Sequence, residues 1–192
     1  MQTQIQSACA KEEQIFEQAR ARWRELISWT PPPTGWHCLN TDGSVINASG
    51  SVAAGGVIRE EDVRFVSAFT ANLGGGSITR AELMAIVIGL RAAWEVGARK
   101  VEVQTDSRVA IDLVQAATES GPHYQLVMPV RRLLERAWQV VLKHIYREAN
   151  AAADFLASKG HSHAVGEHMI QTPTAALNFW LLHDCMVFKR LG

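Results

Sequence analysis

Residues 36–73 read WHCLNTDGSVINASGSVAAGGVIREEDVRFVSAFTANL and contain three runs that are typical of β-strands. The runs cover residues 36–42, 51–59 and 64–73. The charged residues 60–62 between the last two runs indicate a hairpin turn. Short runs joined by such turns form antiparallel neighbours, so this stretch predicts a three-stranded antiparallel meander at the start of a domain.

The sequence after the meander alternates between helical and strand-like patterns. A helix is predicted after the glycine-rich residues 74–76, with Ser77 or Thr79 as its N-cap and Gly97 at its end. The remaining predicted elements are a strand at 100–106, helices at 110–117 and 124–138, a strand at 140–145 and a helix at 150–159. This order predicts an α/β domain with a mixed sheet.

Length and composition restrict the class of protein. The chain has 192 residues, 47% hydrophobic and 20% charged, which is enough for one domain with a buried core. The formal net charge of +0 argues against a strongly basic nucleic-acid coat but not against a local basic patch. The sequence shows no signal-peptide pattern and no apolar run of the roughly 20 residues that a membrane span needs. Three scattered cysteines indicate free thiols, so we expect an intracellular protein, in cytoplasm or nucleus.

The chain divides into three predicted regions. Residues 1–33 are expected to form a helix and a proline-rich linker, because Pro31, Pro32 and Pro33 end any helix. Residues 34–160 form the predicted α/β domain. Residues 161–192 are expected to form a loop, with three histidines in a loose cluster, and then a short apolar helix at 175–188 that docks on the domain.

Four carboxylates stand in surroundings that suggest chemistry. Asp42 and Asp106 lie at the carboxyl ends of predicted strands, where α/β sheets usually carry their sites. Glu82 shares a helix face with small and apolar residues, and Asp154 lies in the last predicted helix. Each residue alone is equally explained by a turn, a helix cap or the helix dipole. All four together predict a site for a hard cation such as Mg²⁺ or Mn²⁺, provided that they converge.

The surroundings of these carboxylates resemble the four motifs of type 1 ribonuclease H, in particular the plant reverse-transcriptase-like domains of non-LTR retrotransposons. The resemblance covers about residues 29–159. It rests on TDGS at 41–44, AEL at 81–83, TDS at 105–107 and REANAAAD at 147–154, together with WTPPP at 29–33 and GGVIR at 55–59. Four motifs in order on the expected elements are a specific signal.

The resemblance implies a five-stranded sheet of order 3-2-1-4-5 flanked by helices. It also implies endonucleolytic hydrolysis of the RNA strand of RNA–DNA hybrids, leaving 5′-phosphate and 3′-hydroxyl ends. Carried over by motif, Asp42, Glu82, Asp106 and Asp154 would be the catalytic residues and would hold two Mg²⁺ ions, for which Mn²⁺ could substitute.

The resemblance extends to further site residues. His144, ten residues before Asp154, matches a histidine that aids product release or proton transfer in bacterial enzymes. The strand pattern around it strongly favours a structural role instead, and Arg147 is an alternative for the catalytic one. Recognition of the hybrid should rest on its shape and on the RNA 2′-hydroxyl. The residues expected to contact it are Gly43, Ser44, Ser77, Thr79 and Ser107, of which the last three could instead cap helices.

The sequence departs from the family in one informative place. Between Asp106 and His144 there is no room for the basic protrusion by which some relatives bind the hybrid, so we expect weak substrate affinity. We also expect the protein to be a monomer. Two alternatives remain. One is a non-catalytic descendant, a hybrid-binding or protein-interaction module that kept the fold. The other is a different nuclease of the same superfold, such as a 3′–5′ exonuclease or a transposase-like domain.

Overall fold

The computed structural model describes residues 29–116, 121 and 123–189, with side chains described as far as residue 183. The predicted N-terminal helix lies almost wholly outside these residues, as do Cys9 and the side chain of Cys185. The strands are β1 His37–Ile46, β2 Ser51–Glu60, β3 Phe65–Gly75, β4 Lys100–Thr105, β5 Gln139–His144 and β6 Gly166–Ile170. The α-helices are α1 Ile78–Glu95, α2 Arg108–Ala116, α3 Tyr124–Leu134, α4 Ala151–Gly160 and α5 Ala175–Lys189, and a 3₁₀ turn spans Arg147–Ala149.

The strands form one mixed sheet in the order β5-β4-β1-β2-β3-β6. The first three strands pair antiparallel, as predicted, and β1, β4 and β5 run parallel. The five-stranded part therefore has the expected order. The prediction of five strands was wrong, because β6 pairs antiparallel with the outer edge of β3 and adds a sixth strand.

The additional strand lies within residues 161–174, which were predicted to be a loop. Its sequence, GEHMI, contains two charged or titratable residues and only two apolar ones, so it gives no strong strand pattern. The strand forms because β3 offers unpaired backbone groups, to which β6 is hydrogen-bonded along the register from Ala68–Ile170 to Ala71–Glu167. Tertiary pairing thus overrides the local pattern.

Helices cover both faces of the sheet. Helix α1 is capped by Ser77, which accepts a hydrogen bond from the backbone of Arg80, and its buried face packs on β1 where Gly89 meets Leu39. Helix α4 packs on the other face, with Gly55 of β2 against its backbone. Helix α5 covers the residues predicted for it, and it buries Leu177 and Leu181 near α4. None of the described helices has the length and apolar character needed to cross a lipid bilayer.

The central strand β1 positions the site. Its alternate residues face opposite helices: Leu39 and Gly43 contact α1, whereas Asn40 contacts Asn150 at the start of α4. Because β1 and β4 are parallel, their carboxyl ends lie at the same edge of the sheet. Contrary to the prediction, Asp42 does not end its strand, because residues 42–46 continue β1 and pair with β2. Asp42 and Asp106 each lie two residues beyond the last pair between β1 and β4, so they are brought to one place.

Candidate active site

Three of the four predicted carboxylates form a tight group. Asp42 comes from β1, Glu82 from the second turn of α1, and Asp106 from the residue after β4. One oxygen from each carboxylate lies within 4.8 Å of the others. Asp42 and Glu82 are buried, and Asp106 is half-buried. This arrangement could hold a metal ion, because it presents only hard oxygen donors.

The electrostatics of this group favour protonation or a bound cation. Burial, followed by repulsion from Glu82, Asp106 and Asp154, raises the pKa of Asp42 from 3.8 to about 9. Burial and the Asp106 carboxylate raise the pKa of Glu82 to about 8, against a hydrogen bond from the backbone of Gly43 that lowers it. Among the described residues, Glu82 Oε2 has no hydrogen-bond partner although it is buried. An unpaired buried carboxylate oxygen of this kind is costly unless a cation approaches it.

Asp154 lies outside the group of three. Its Oδ1 accepts a hydrogen bond of 2.7 Å from the guanidinium of Arg147, seven residues earlier, in the 3₁₀ turn that precedes α4. The hydrogen bond to Asp154 raises the pKa of Arg147. The carboxylate is nevertheless close enough to contribute to the raised pKa of Asp42. Arg147 therefore neutralises the fourth carboxylate at the rim of the site.

His144 lies beside the group at the exposed end of β5. Its Nε2 is 3.2 Å from the backbone oxygen of Asp106, and its ring meets that of Tyr146 edge-on. The strand interpretation and the site interpretation of this residue are thus compatible. The residue is exposed to solvent.

The residues predicted to contact the substrate lie on several elements. Gly43 lies against the start of α1, where an added Cβ would be 2.6 Å from the backbone nitrogen of Glu82. Ser77 and Ser107 both accept a helix-capping hydrogen bond of 3.2 Å, so the capping interpretation holds for them. Thr79, in the first turn of α1, is not its N-cap.

Ser44 has a partner that the sequence did not indicate. Its Oγ is 3.0 Å from Nε2 of His161, whose Nδ1 is 2.8 Å from Oγ of Ser51 on β2. His161 was grouped with His163 and His168 in a loose cluster, but only the last two stack on each other, with ring centroids 4.8 Å apart. The end of helix α4 thereby links two neighbouring strands beside the site.

Asn150 is a second residue that the sequence interpretation missed. Its amide nitrogen lies 2.9 Å from the backbone oxygen of Thr41 and 3.5 Å from Oδ1 of Asp106. The available signal was its place in the REANAAAD motif, four residues before Asp154, where it was assigned only to the start of a helix. Asn150 connects β1 to the carboxylate that follows β4.

Comparison with known proteins places the domain in a family. Residues 40–160 match the family model described as reverse transcriptase-like. A relative from Arabidopsis thaliana, described as a candidate ribonuclease H protein, is 34% identical over 166 residues, which are 86% of this chain and 27% of the relative. The chain thus spans about a quarter of the length of that curated relative.

Two solved structures resemble this one. Ribonuclease H1 of the archaeon Halobacterium salinarum superposes with a TM-score of 0.61 at 24% identity, covering 67% of this chain and 98% of that one. A ribonuclease H1 isolated from compost, solved in complex with an RNA/DNA hybrid, gives a TM-score of 0.58 at 25% identity, covering 64% and 94%. With most of its length matched by the family model, this chain belongs to the reverse transcriptase-like family and contains a ribonuclease H-like domain.

Proposed function

We propose that this chain is a metal-dependent nuclease that hydrolyses the RNA strand of RNA–DNA hybrids. The observation that carries the proposal is the group of Asp42, Glu82 and Asp106, whose oxygens lie within 4.8 Å of one another. Like charges at such separations repel, and cations make the arrangement favourable. The hybrid bound to the related compost enzyme supports the substrate, and the name of the family supports an origin from a retroelement.

The residues present fit a divalent cation. All candidate ligands are carboxylate oxygens, and Glu82 Oε2 is buried with no partner among the described residues. Asp42, Glu82 and Asp106 would hold the metal, and Asp154 would complete the set for two ions. When bound, Mg²⁺ supplies neutralisation of the phosphate charge and an activated water molecule, and Mn²⁺ should substitute because it accepts the same ligands.

The protein's own groups prepare this site. The backbone of Gly43 donates a hydrogen bond to the Glu82 carboxylate, which favours its ionised form. Arg147 orients Asp154 through the hydrogen bond of 2.7 Å. We assign His144 to proton transfer or product release, because its exposed ring lies against the backbone of Asp106, with Nε2 3.2 Å from that oxygen.

Recognition of the hybrid would use hydroxyl groups around the carboxylates. Ser77 and Ser107 use their oxygens as acceptors for helix caps, so their O–H groups are available to donate to phosphate or to a 2′-hydroxyl. Ser44 and Thr79 are the other candidate contacts. The formal net charge of +0 supports weak affinity, because neutralisation of phosphates dominates such binding.

Cleavage of an end-labelled RNA–DNA hybrid tests the proposal. The wild-type chain should cut the RNA strand in Mg²⁺ or Mn²⁺, leave 5′-phosphate and 3′-hydroxyl ends, and be inactive with EDTA. Asp42→Asn should lose activity while remaining folded, because the substitution relieves repulsion within the group. Asp112→Asn is the matched control, since Asp112 is exposed on α2.

Parallel reactions on double-stranded DNA, double-stranded RNA and single-stranded DNA separate this function from its rivals. Preference for single-stranded DNA would indicate another nuclease of the same superfold. A folded wild-type chain that retains hybrids on a gel but cuts none of these substrates would contradict the proposal and indicate a binding module.

A further inference from the structure

A chain of hydrogen-bonded side chains connects the segment that enters the domain with the carboxylate group. It starts at Trp29, which is 1% exposed, and ends at Asp106. Between them lie two amides, Asn40 on β1 and Asn150 before α4, each almost wholly buried. Buried polar groups are costly unless they are hydrogen-bonded, so a connected series of them in a central position requires a physical reason.

Asn40 is the centre of this series. Its Oδ1 accepts hydrogen bonds from the indole nitrogen of Trp29 at 3.1 Å, from the thiol of Cys38 at 3.1 Å and from the guanidinium of Arg59 at 2.8 Å. The indole and the guanidinium can only donate, so the oxygen of the Asn40 amide must face them. The guanidinium also stacks on the Trp29 ring, 3.6 Å from its centroid.

The fixed orientation of Asn40 determines that of its neighbour. The amide nitrogen of Asn40 points to Oε1 of Gln104 at 3.0 Å and to Oδ1 of Asn150 at 3.2 Å. Asn150 must therefore present its own amide nitrogen on the other side, toward the backbone oxygen of Thr41 and Oδ1 of Asp106. The indole of Trp29 and the guanidinium of Arg59, which can only donate, thus set the direction of the hydrogen bonds that run through Asn40 and Asn150 to Asp106.

We propose that Asn40 is a positioning residue: with Trp29 as its outer anchor, it fixes Asn150 so that the backbone before Asp42 and the carboxylate of Asp106 are held in the geometry that receives the metal. The inference rests on the proposed metal site. It adds that the segment at Trp29 belongs to the functional unit. Groups that orient metal ligands in this way typically change metal affinity or activity by about 10- to 100-fold when they are altered.

Asn40→Asp is the sharpest test. It keeps the acceptor that faces Trp29 and Arg59 but places an oxygen against the carbonyl oxygens of Gln104 and Asn150. Asn150 can donate a hydrogen bond to the introduced oxygen only by turning its amide nitrogen away from Thr41 and Asp106. The added negative charge would by itself strengthen cation binding, so weaker binding would report lost positioning. Asn72→Asp is the matched control, because the amide of Asn72 on β3 likewise makes two hydrogen bonds, to the backbone of His163 and from that of Gly74, and neither partner belongs to the carboxylate group.

Two readouts are needed on the full chain, without and with substrate. The first is the rise in Tm on titration with Mn²⁺ alone, since a ligand that binds the folded state stabilises it. The second is kcat and KM for the hybrid. Asn40→Asp should weaken Mn²⁺ binding and lower kcat by about 10- to 100-fold while KM changes less than about threefold. Trp29→Phe, which removes the indole donor and keeps an aromatic ring, although a smaller one, should act in the same direction with a smaller effect.

The outcomes separate this inference from the proposed function. Wild-type behaviour of a folded Asn40→Asp variant in both readouts would overturn the positioning role. If Asn40→Asp does not fold, Trp29→Phe with an unchanged Mn²⁺ response would overturn it instead. If the wild-type chain binds Mn²⁺ but cuts no hybrid, the proposed function fails, and a lost Mn²⁺ response in Asn40→Asp still supports the positioning role. Absence of any Mn²⁺ response in the wild-type chain would reject both.

Discussion

In the absence of metal, the protein should become less stable as the pH rises, and Asp42→Asn should remove much of this loss. Burial and the neighbouring carboxylates raise the pKa of Asp42 from 3.8 to about 9. Between these values the folded chain holds a proton that the unfolded chain has released. The free energy of unfolding therefore falls with rising pH. The contribution of the Asp42 proton to stability is lost progressively up to about pH 9.

The size of the effect follows from the single proton. One proton contributes about 1.4 kcal/mol per pH unit, so wild-type protein should lose about 3 kcal/mol relative to Asp42→Asn between pH 6 and pH 8. For a chain of this size that corresponds to roughly 5–10 °C in Tm. Glu82, whose pKa is raised to about 8, adds to the slope of both proteins up to that pH.

Urea unfolding in EDTA at pH 6, 7 and 8 measures this difference. Wild-type protein, Asp42→Asn and the exposed control Asp112→Asn contain the same histidines. The histidines therefore contribute equally to the three pH profiles and do not affect the difference between them. Mn²⁺ at pH 8 should restore stability to the wild type and to Asp112→Asn but much less to Asp42→Asn. Parallel pH slopes for wild type and Asp42→Asn would refute the reasoning, because they would mean that the Asp42 carboxylate is ionised at no cost in the folded, metal-free chain.

Three further substitutions probe the surroundings of the site. Gly43→Ala places a Cβ 2.6 Å from the backbone nitrogen of Glu82. It should lower Tm, reduce the free energy of unfolding by about 1–3 kcal/mol and reduce kcat by about 100-fold. Wild-type kinetics would contradict this expectation. Arg147→Gln releases Asp154 and should lower kcat/KM about tenfold with little change in Tm, because the pair is largely exposed; unchanged steady-state kinetics would exclude an orienting role. His161→Ala removes the ring that bridges two serine hydroxyls and should raise KM for the hybrid about fivefold, with rescue by His161→Gln; equal KM values would count against it.

The order of elements from β1 to α4 could be predicted because its signals are local. Alternation in the strands, a capping serine before α1 and glycines at helix ends all act within a few residues. Strand β6 could not be predicted in this way, since its stability comes from the free edge of β3, about 100 residues earlier. Its five residues carry no pattern strong enough to reveal that partner.

The carboxylates illustrate what residue types alone do not determine. The position of Asp106 at a strand end and that of Glu82 on a helix face were readable, and these two residues meet Asp42, which lies inside β1. Asp154 was expected to join them on equal terms, but it pairs with Arg147. A carboxylate in a cluster of like charges is stabilised by a nearby cation, and for Asp154 that cation is the guanidinium in the preceding turn. Spacing in the sequence indicates which residues can converge, whereas the balance of charges decides how they are neutralised.

The amide series beneath the site was also present in the sequence, but it becomes visible only with the strand register. Asn40 stands opposite Gln104 where β1 pairs with β4, and Cys38 stands opposite Arg59 where β1 pairs with β2. A slip of one residue between β1 and β4 would turn Gln104 to the other face and leave the Asn40 amide without that partner. The same register sets how far Asp106 extends beyond β4 relative to Asp42. The buried polar residues therefore favour the strand alignment that brings Asp42 and Asp106 together, since this register gives the Asn40 amide its partner in Gln104.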